Sequence, residues 1–324
     1  MFGPTPCRDI GLVAGFELRE MRRSRRALAV VALYLMVAAF LAFVFVRVLE
    51  QAQTVVNNPV ALMTGTNGPG PGGPRGRGGP VFAPSPADKP SQGLLFSRRS
   101  PFRAVLRNQV SDDATMDFLV VQPPISLYYL LTSFMFVPFL IMITAAETVA
   151  QEHQTRGVRF VAMRTGRAEF VLGKVLGQGL LVALVTLLAG LMCLAIAAWN
   201  LADFAWGPAL SSLLLFWPRV VVYAVPFVGL ASLCSMNTSS AMSARASALL
   251  GLGALWLTHQ APALYADSSL APVFNALDYL SPYAYQDELW RPLWNEVGTP
   301  MLLLVWLGVV YVGVGLFFYR RRDL

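Results

Sequence analysis

Six stretches of this chain, residues 27–49, 125–146, 175–198, 213–236, 246–266 and 300–319, are almost bare of charge, and nothing else in the sequence restricts its fold as much. A helix rises about 1.5 Å per residue and a bilayer's hydrocarbon layer is about 30 Å thick, so roughly 20 apolar residues make one crossing. Each stretch is long enough. The first stays uncharged until Arg47, and the fourth is interrupted only by Arg219. The chain is 56% hydrophobic and only 13% charged, with a mean hydropathy of +0.55, which excludes soluble domains of ordinary composition. The expected fold class is an all-α membrane protein of six transmembrane helices, with Pro138 and Pro226 kinking the second and fourth.

Charge sets the expected orientation. Arg19, Arg22, Arg23, Arg25 and Arg26 precede the first run, which is too long for a cleaved signal peptide and reads as a retained anchor. Cations stay on the cytoplasmic side, so 1–26, the loop 147–174, the turn 237–245 and the tail 320–324 are expected inside, with both termini cytoplasmic. These segments hold 15 Lys and Arg against seven acids, and the rest of the chain holds ten against eleven. Within 1–26 an interfacial helix is expected, with Ile10, Leu12, Val13 and Phe16 on one side and Glu17, Arg19, Glu20, Arg22 and Arg23 elsewhere.

The largest segment outside the spans, 50–124, contains Gly-Pro-Gly-Pro-Gly-Gly-Pro-Arg-Gly-Arg-Gly-Gly-Pro. Such a composition cannot bury enough to offset its ordering entropy, so a flexible extracytoplasmic loop with short flanking helices is expected. Arg-Gly repeats also occur in RNA-binding segments, but placement outside the cell argues against a nucleic-acid partner. The other external segment, 267–299, combines five acids with Tyr279, Tyr283, Tyr285, Trp290 and Trp294. Aromatic residues settle at membrane interfaces, so this segment is expected to re-enter the outer leaflet as short helices.

Catalytic signatures are missing. A phosphate-cradling G-x-x-x-x-G-K-[ST] loop is approached only at Gly173-Lys174, where Ala168 and Val175 break the pattern. There is no His-Glu-x-x-His helix and no G-x-S-x-G elbow, and two His with three scattered Cys supply no metal-ligand spacing. The expectation is a chain with no catalytic residues, no metal and no cofactor of its own. Ionisable residues inside spans mark Arg219 and His259 as intramembrane polar candidates. Against that, Arg219 near the outer end of its span can snorkel to head groups, and His259 can be a hydrogen-bonded packing residue. Gly173 and Gly177 form G-x-x-x-G, which more often means close helix packing than a specific dimer. The runs contain no buried acid of the kind an ion-coupled carrier uses.

The informative segment follows the second run. From Glu147 to Lys174 the chain is similar to the first cytoplasmic loop of ABC-transporter permeases of the type-2 class, keeping Glu152, Gly157, Arg159, Arg167, Phe170, Leu172, Gly173 and Lys174 and departing at Val158 and at Arg164-Thr165-Gly166. Glu17-Leu18-Arg19 resembles that class's connecting helix, the stretch from Leu230 to Met242 its turn between the fourth and fifth spans, and Leu280-Ser281-Pro282 its outer re-entrant element. The resemblance implies a non-catalytic permease subunit of an exporter in the bacterial cytoplasmic (inner) membrane. It implies two copies of a separate cytoplasmic ABC ATPase, which would hold the ATP and magnesium, and a second permease subunit forming a homo- or heterodimer. Glu147, Glu152, Gly157, Arg159, Arg164 and Arg167 would then couple to the ATPase, since a short charged helix on two long spans can act as a lever. The alternative is an ABC-like mechanotransmission or envelope-assembly subunit that moves no cargo and uses its outer loop for an extracytoplasmic partner.

Overall fold

The computed structural model describes residues 6–57, 112–154, 166–201, 204–265 and 267–321. The Pro/Gly-rich part of the long loop, Gly157, Arg159, Arg164 and the last residues of the tail lie outside them. Among the described residues every regular element is a helix. In chain order these are α1 (Pro6–Arg23), α2 (Arg25–Asn57), α3 (Asp113–Val121), α4 (Pro124–Thr144), α5 (Thr148–Gln154), α6 (Arg167–Asn200), α7 (Trp206–Asn237), α8 (Ala241–Leu264), α9 (Ala271–Asp278) and α10 (Trp294–Arg320), with two 3-10 turns, Pro282–Tyr285 and Asp287–Trp290, before α10.

Local chemistry places several boundaries. Asp112 caps α3, its carboxylate accepting from the N–H groups of Ala114 and Thr115. Pro123-Pro124 then separates α3 from α4, because a residue before proline avoids helical backbone while proline suits a first turn. Ser240 caps α8 in the same way through Ser243 N–H. Pro138 and Pro226 fall within α4 and α7, and both helices continue through them.

Among the described residues, five helical stretches are long and apolar enough to cross a membrane: Ala27–Leu49, Pro124–Glu152, Arg167–Asn200, Trp206–Asn237 and Trp294–Arg320. The run expected as a fifth span lies in α8, which is not among them. Arg245 near its start, His259 and Gln260 near its end, and Ser and Gly between dilute its hydropathy. On α2 the large apolar side chains Leu33, Met36 and Phe40 are exposed. A side chain of this kind gains nothing from water exclusion once in lipid, so helix association rests on close packing and hydrogen bonds.

Helix α7 is the centre of the bundle, packed on α4, α6, α8 and α10. Its contact with α10 is made close by glycine. A Cβ at Gly229 would stand 2.6 Å from the Gly308 carbonyl oxygen, and one at Gly308 would stand 2.7 Å from Val225 Cγ1. Between α7, α4 and the chain before α10 lies an aromatic cluster in which Phe134 packs on Tyr223 at 4.7 Å and Trp290 at 5.9 Å between ring centroids.

Within 267–299, α9 and the two 3-10 turns are short helical pieces, and from Trp294 the segment is already part of the long helix α10. It is fastened to three long helices: Tyr223 Oη donates to Gln286 Oε1 at 3.2 Å, Ser281 Oγ to Leu255 O at 3.0 Å, and Tyr311 Oη to Leu280 O at 2.7 Å. Leu289 and Trp290 are fully buried.

Candidate functional site: a charged junction around α5

At the end of the bundle where α1 lies, α5 is held by side chains of α6 and α7, and α8 and α1 join the same junction through Glu147 and Lys174. A helix start leaves backbone N–H groups without partners inside the helix. In α5, Val149 N–H and Ala150 N–H both donate to Ser235 Oγ at 3.0 Å, so the cap comes from the last turns of α7. Ser235 is fully buried there. Just before α5, Glu147 pairs with Arg245 of α8.

The far end of α5 is tied by charge. Lys174 Nζ on α6 lies 2.7 Å from Glu152 Oε1 and 2.7 Å from Glu17 Oε2 on α1. The side chains of Lys174 and Glu17 are only 5% and 6% exposed, against 20% for Glu152. Phe170, one turn earlier on α6, places its ring 5.3 Å from the ammonium. Burial holds the Glu17 carboxyl above its ordinary range; Lys174 pulls the other way, and Glu20 and Glu152 push it further up. Such a buried triad is expensive to break, because removing one partner strands the others out of water.

The glycines of the sequence's G-x-x-x-G make this triad reachable. A Cβ at Gly173 would meet Val13 Cβ at 2.5 Å, and one at Gly177 would meet Glu17 Cβ at 3.0 Å. They form the seat of α1. The motif is therefore a packing surface within the chain, in line with its ordinary meaning. Helix α1 differs from its expected amphipathic arrangement. Ala14, Glu17 and Met21 turn inward toward α6, while Leu12 and Phe16 are 63% and 64% exposed.

Of the residues expected from the sequence to couple to an ATPase, Glu147 and Glu152 are both drawn into this junction, and Arg167 is the first residue of α6. Gly157, Arg159 and Arg164 lie outside the described residues. Glu17, Lys174, Ser235 and Arg245 complete the junction without standing among the expected coupling residues, although Glu17 and Lys174 fall in segments that carry the resemblance. A signal exists for Glu17: an acid at helical spacing from Val13, Ala14 and Met21 interrupts an apolar stripe and asks for a buried partner.

Arg219 and His259, the two polar candidates marked within the apolar runs, belong to the opposite end and do not join the junction. Arg219 is fully buried, which corrects the snorkelling expectation. Its Nη1 donates to Leu289 O at 2.8 Å and Arg291 O at 2.9 Å, with the guanidinium carbon 5.5 Å from the Phe216 ring centre and 5.3 Å from that of Trp294. These two backbone carbonyls serve Nη1, as head groups would at a membrane surface, while Nε and Nη2 are buried without a hydrogen-bond partner. His259 Nδ1 lies 3.0 Å from Asp278 Oδ1 and its ring stacks beside Tyr283. It is a hydrogen-bonded packing residue linking α8 to the end of α9.

Among curated proteins none matches the chain. A family model described as ABC-2 family transporter protein matches residues 12–324, from α1 through the end of α10 and beyond. With that match across nearly the whole chain, and with several helices long enough to span a bilayer, the protein is a multi-pass membrane protein that belongs to the ABC-2 transporter family.

Proposed function

We propose that the chain is the permease subunit of an ATP-driven exporter in the bacterial inner membrane, and that α5 with the segment after it receives the stroke of a separate cytoplasmic ATPase. The observation that carries this reading is the junction itself. A push on α5 reaches α7 through Ser235, α8 through Glu147 and Arg245, and α6 and α1 through Glu152, Lys174 and Glu17. Packed elements held by such contacts move as units, which suits a two-state transition better than a solvated loop does. In this reading six helices cross the membrane, α8 included, with both termini and α5 in the cytoplasm. Two copies of the permease, identical or not, pair with two ATPase subunits that hold ATP and magnesium.

Purification of the tagged chain from its native membrane tests the proposal. The wild-type preparation should carry magnesium-dependent ATPase activity contributed by a second polypeptide. Reversing Arg164 and Arg167 to Glu should leave membrane insertion intact and strip or uncouple that activity, because interface charges set partner choice. An unchanged ATPase partner and turnover in the reversed variant would overturn the coupling role.

A further inference from the structure

Helix α1 turns a basic face away from the bundle. Arg19, Arg22 and Arg23 are exposed, and at positions i, i+3 and i+4 they share one side of the helix. Ala14, Glu17 and Met21 are buried on the side that meets α6. Glu20, the exposed acid of α1 among the described residues, lines the groove between α1 and α5, and the three arginines do not. None of these arginines pairs with a carboxylate among the described residues.

Register sets the depth of this face. Gly173 of α6 meets Val13 and Ile10, and Gly177, four residues on, meets Glu17 and Ala14, so α1 runs beside α6 in the same direction. Helical bonding continues on both sides of Ser24, whose N–H donates to Glu20 O at 2.8 Å and whose carbonyl accepts from Leu28 N–H at 3.0 Å. Further along, Tyr34, Val37 and Leu41 of α2 surround one small cavity with Ala189 and Cys193 of α6, so α2 follows the same course. Arg19, Arg22 and Arg23 therefore stand beside the turns that follow Gly177. From there α6 exposes Leu180, Leu184 and Leu188, and the apolar run of α2 opens at Ala27. The arginines lie where both helices turn apolar, which is the depth of lipid phosphates when α2 and α6 cross a bilayer.

We propose that Arg19, Arg22 and Arg23 hold the head group of an acidic phospholipid in the leaflet on the α1 side of the membrane. Guanidinium forks match phosphate oxygens two at a time. A choline or ethanolamine head group brings a cation of its own to the three arginines, whereas an acidic head group keeps its net negative charge. An acidic protein segment approaching from water would have to displace the lipid that occupies this depth. The proposal rests on α2 and α6 crossing the membrane and not on the ATPase. Glu17 precedes Arg19 by two residues, so a lipid held here also fixes the helix that carries one arm of the α5 junction.

The test is native mass spectrometry of the full chain purified in detergent, titrated with phosphatidylglycerol or with phosphatidylcholine of the same acyl chains. Detergent has no leaflets, so any effect of the arginines on insertion does not enter the readout. The tightest-bound phosphatidylglycerol should bind more strongly than phosphatidylcholine. Arg23→Gln alone should weaken it about fivefold, and Arg19→Gln, Arg22→Gln and Arg23→Gln together about a hundredfold, with phosphatidylcholine unaffected. All three side chains are exposed, so the variants should keep the wild-type thermal unfolding midpoint. Arg320→Gln with Arg321→Gln, which removes two exposed arginines at the end of α10, should leave the phosphatidylglycerol affinity unchanged. Equal affinity for the two lipids, an unaltered preference in the triple variant, an equal loss from the α10 pair, or displacement of the lipid by inorganic phosphate at comparable concentration would overturn the inference.

Discussion

Lys174 carries more of the α5 junction than any other single side chain, because two acids from two different helices meet on one ammonium. Replacing Lys174 by Met would leave Glu17 buried without its counter-charge, and the expected loss is about 3–5 kcal/mol. In a double-mutant cycle with Glu17→Gln, measured by thermal unfolding in detergent, the combined loss should fall well short of the sum. Additive losses would mean that the two residues do not act as a pair. At this scale the sequence is only partly legible. Glu17 stands in a segment that resembles a connecting helix and Lys174 closes a loop motif, but 157 residues separate them, and no local pattern reports a contact of that kind. Arg219 shows the same limit: its acceptors, Leu289 O and Arg291 O, are backbone atoms about 70 residues on and leave no mark in composition.

Among elements, the α7–α10 pair depends on two glycines that face each other across the contact. Gly229→Ala would drive a methyl group into the Gly308 carbonyl, a backbone atom that cannot swing aside, and should cost about 1–3 kcal/mol by overpacking. Gly253 offers the comparison, since nothing lies within 4 Å of the position its Cβ would take. Gly253→Ala on helix α8 should be neutral or slightly stabilising, because alanine is the better helix former. Midpoints of thermal unfolding for the two variants should therefore move in different directions or by clearly different amounts; equal shifts would remove the packing role assigned to Gly229. The apolar runs show where the long helices lie, and α4, α6, α7 and α10 each enclose the corresponding run or nearly so. Helix α8 is less clear-cut, since its polar ends and small residues make it a helix whose length suits a bilayer better than its composition does.

For the molecule as a whole, orientation in the membrane is the property most open to a direct check. In a Cys7→Ser background, with Cys193 and Cys234 buried, a cysteine at exposed Asn275 should react with an impermeant maleimide applied to intact cells. One at Thr165 should react only after the cells are opened. The reverse pattern would invert the reading of the charge asymmetry. Ser281, although in the same segment, would be a poor reporter because it is fully buried and bonded to Leu255 O.

Hydropathy runs suffice to determine the helical class, and the loop from Glu147 to Lys174 suffices to point to the family, because both kinds of information are local: a membrane-spanning helix needs a continuous apolar stretch, and a loop motif is read in order along the chain. Tertiary structure alone decided which charges meet. It turned Glu17 inward against the glycine seat of α6, brought Ser235 to the start of α5, and closed backbone carbonyls over Arg219. Each of these rests on a polar group taken out of solvent, whose partner must come from wherever the chain passes and not from its neighbours in sequence.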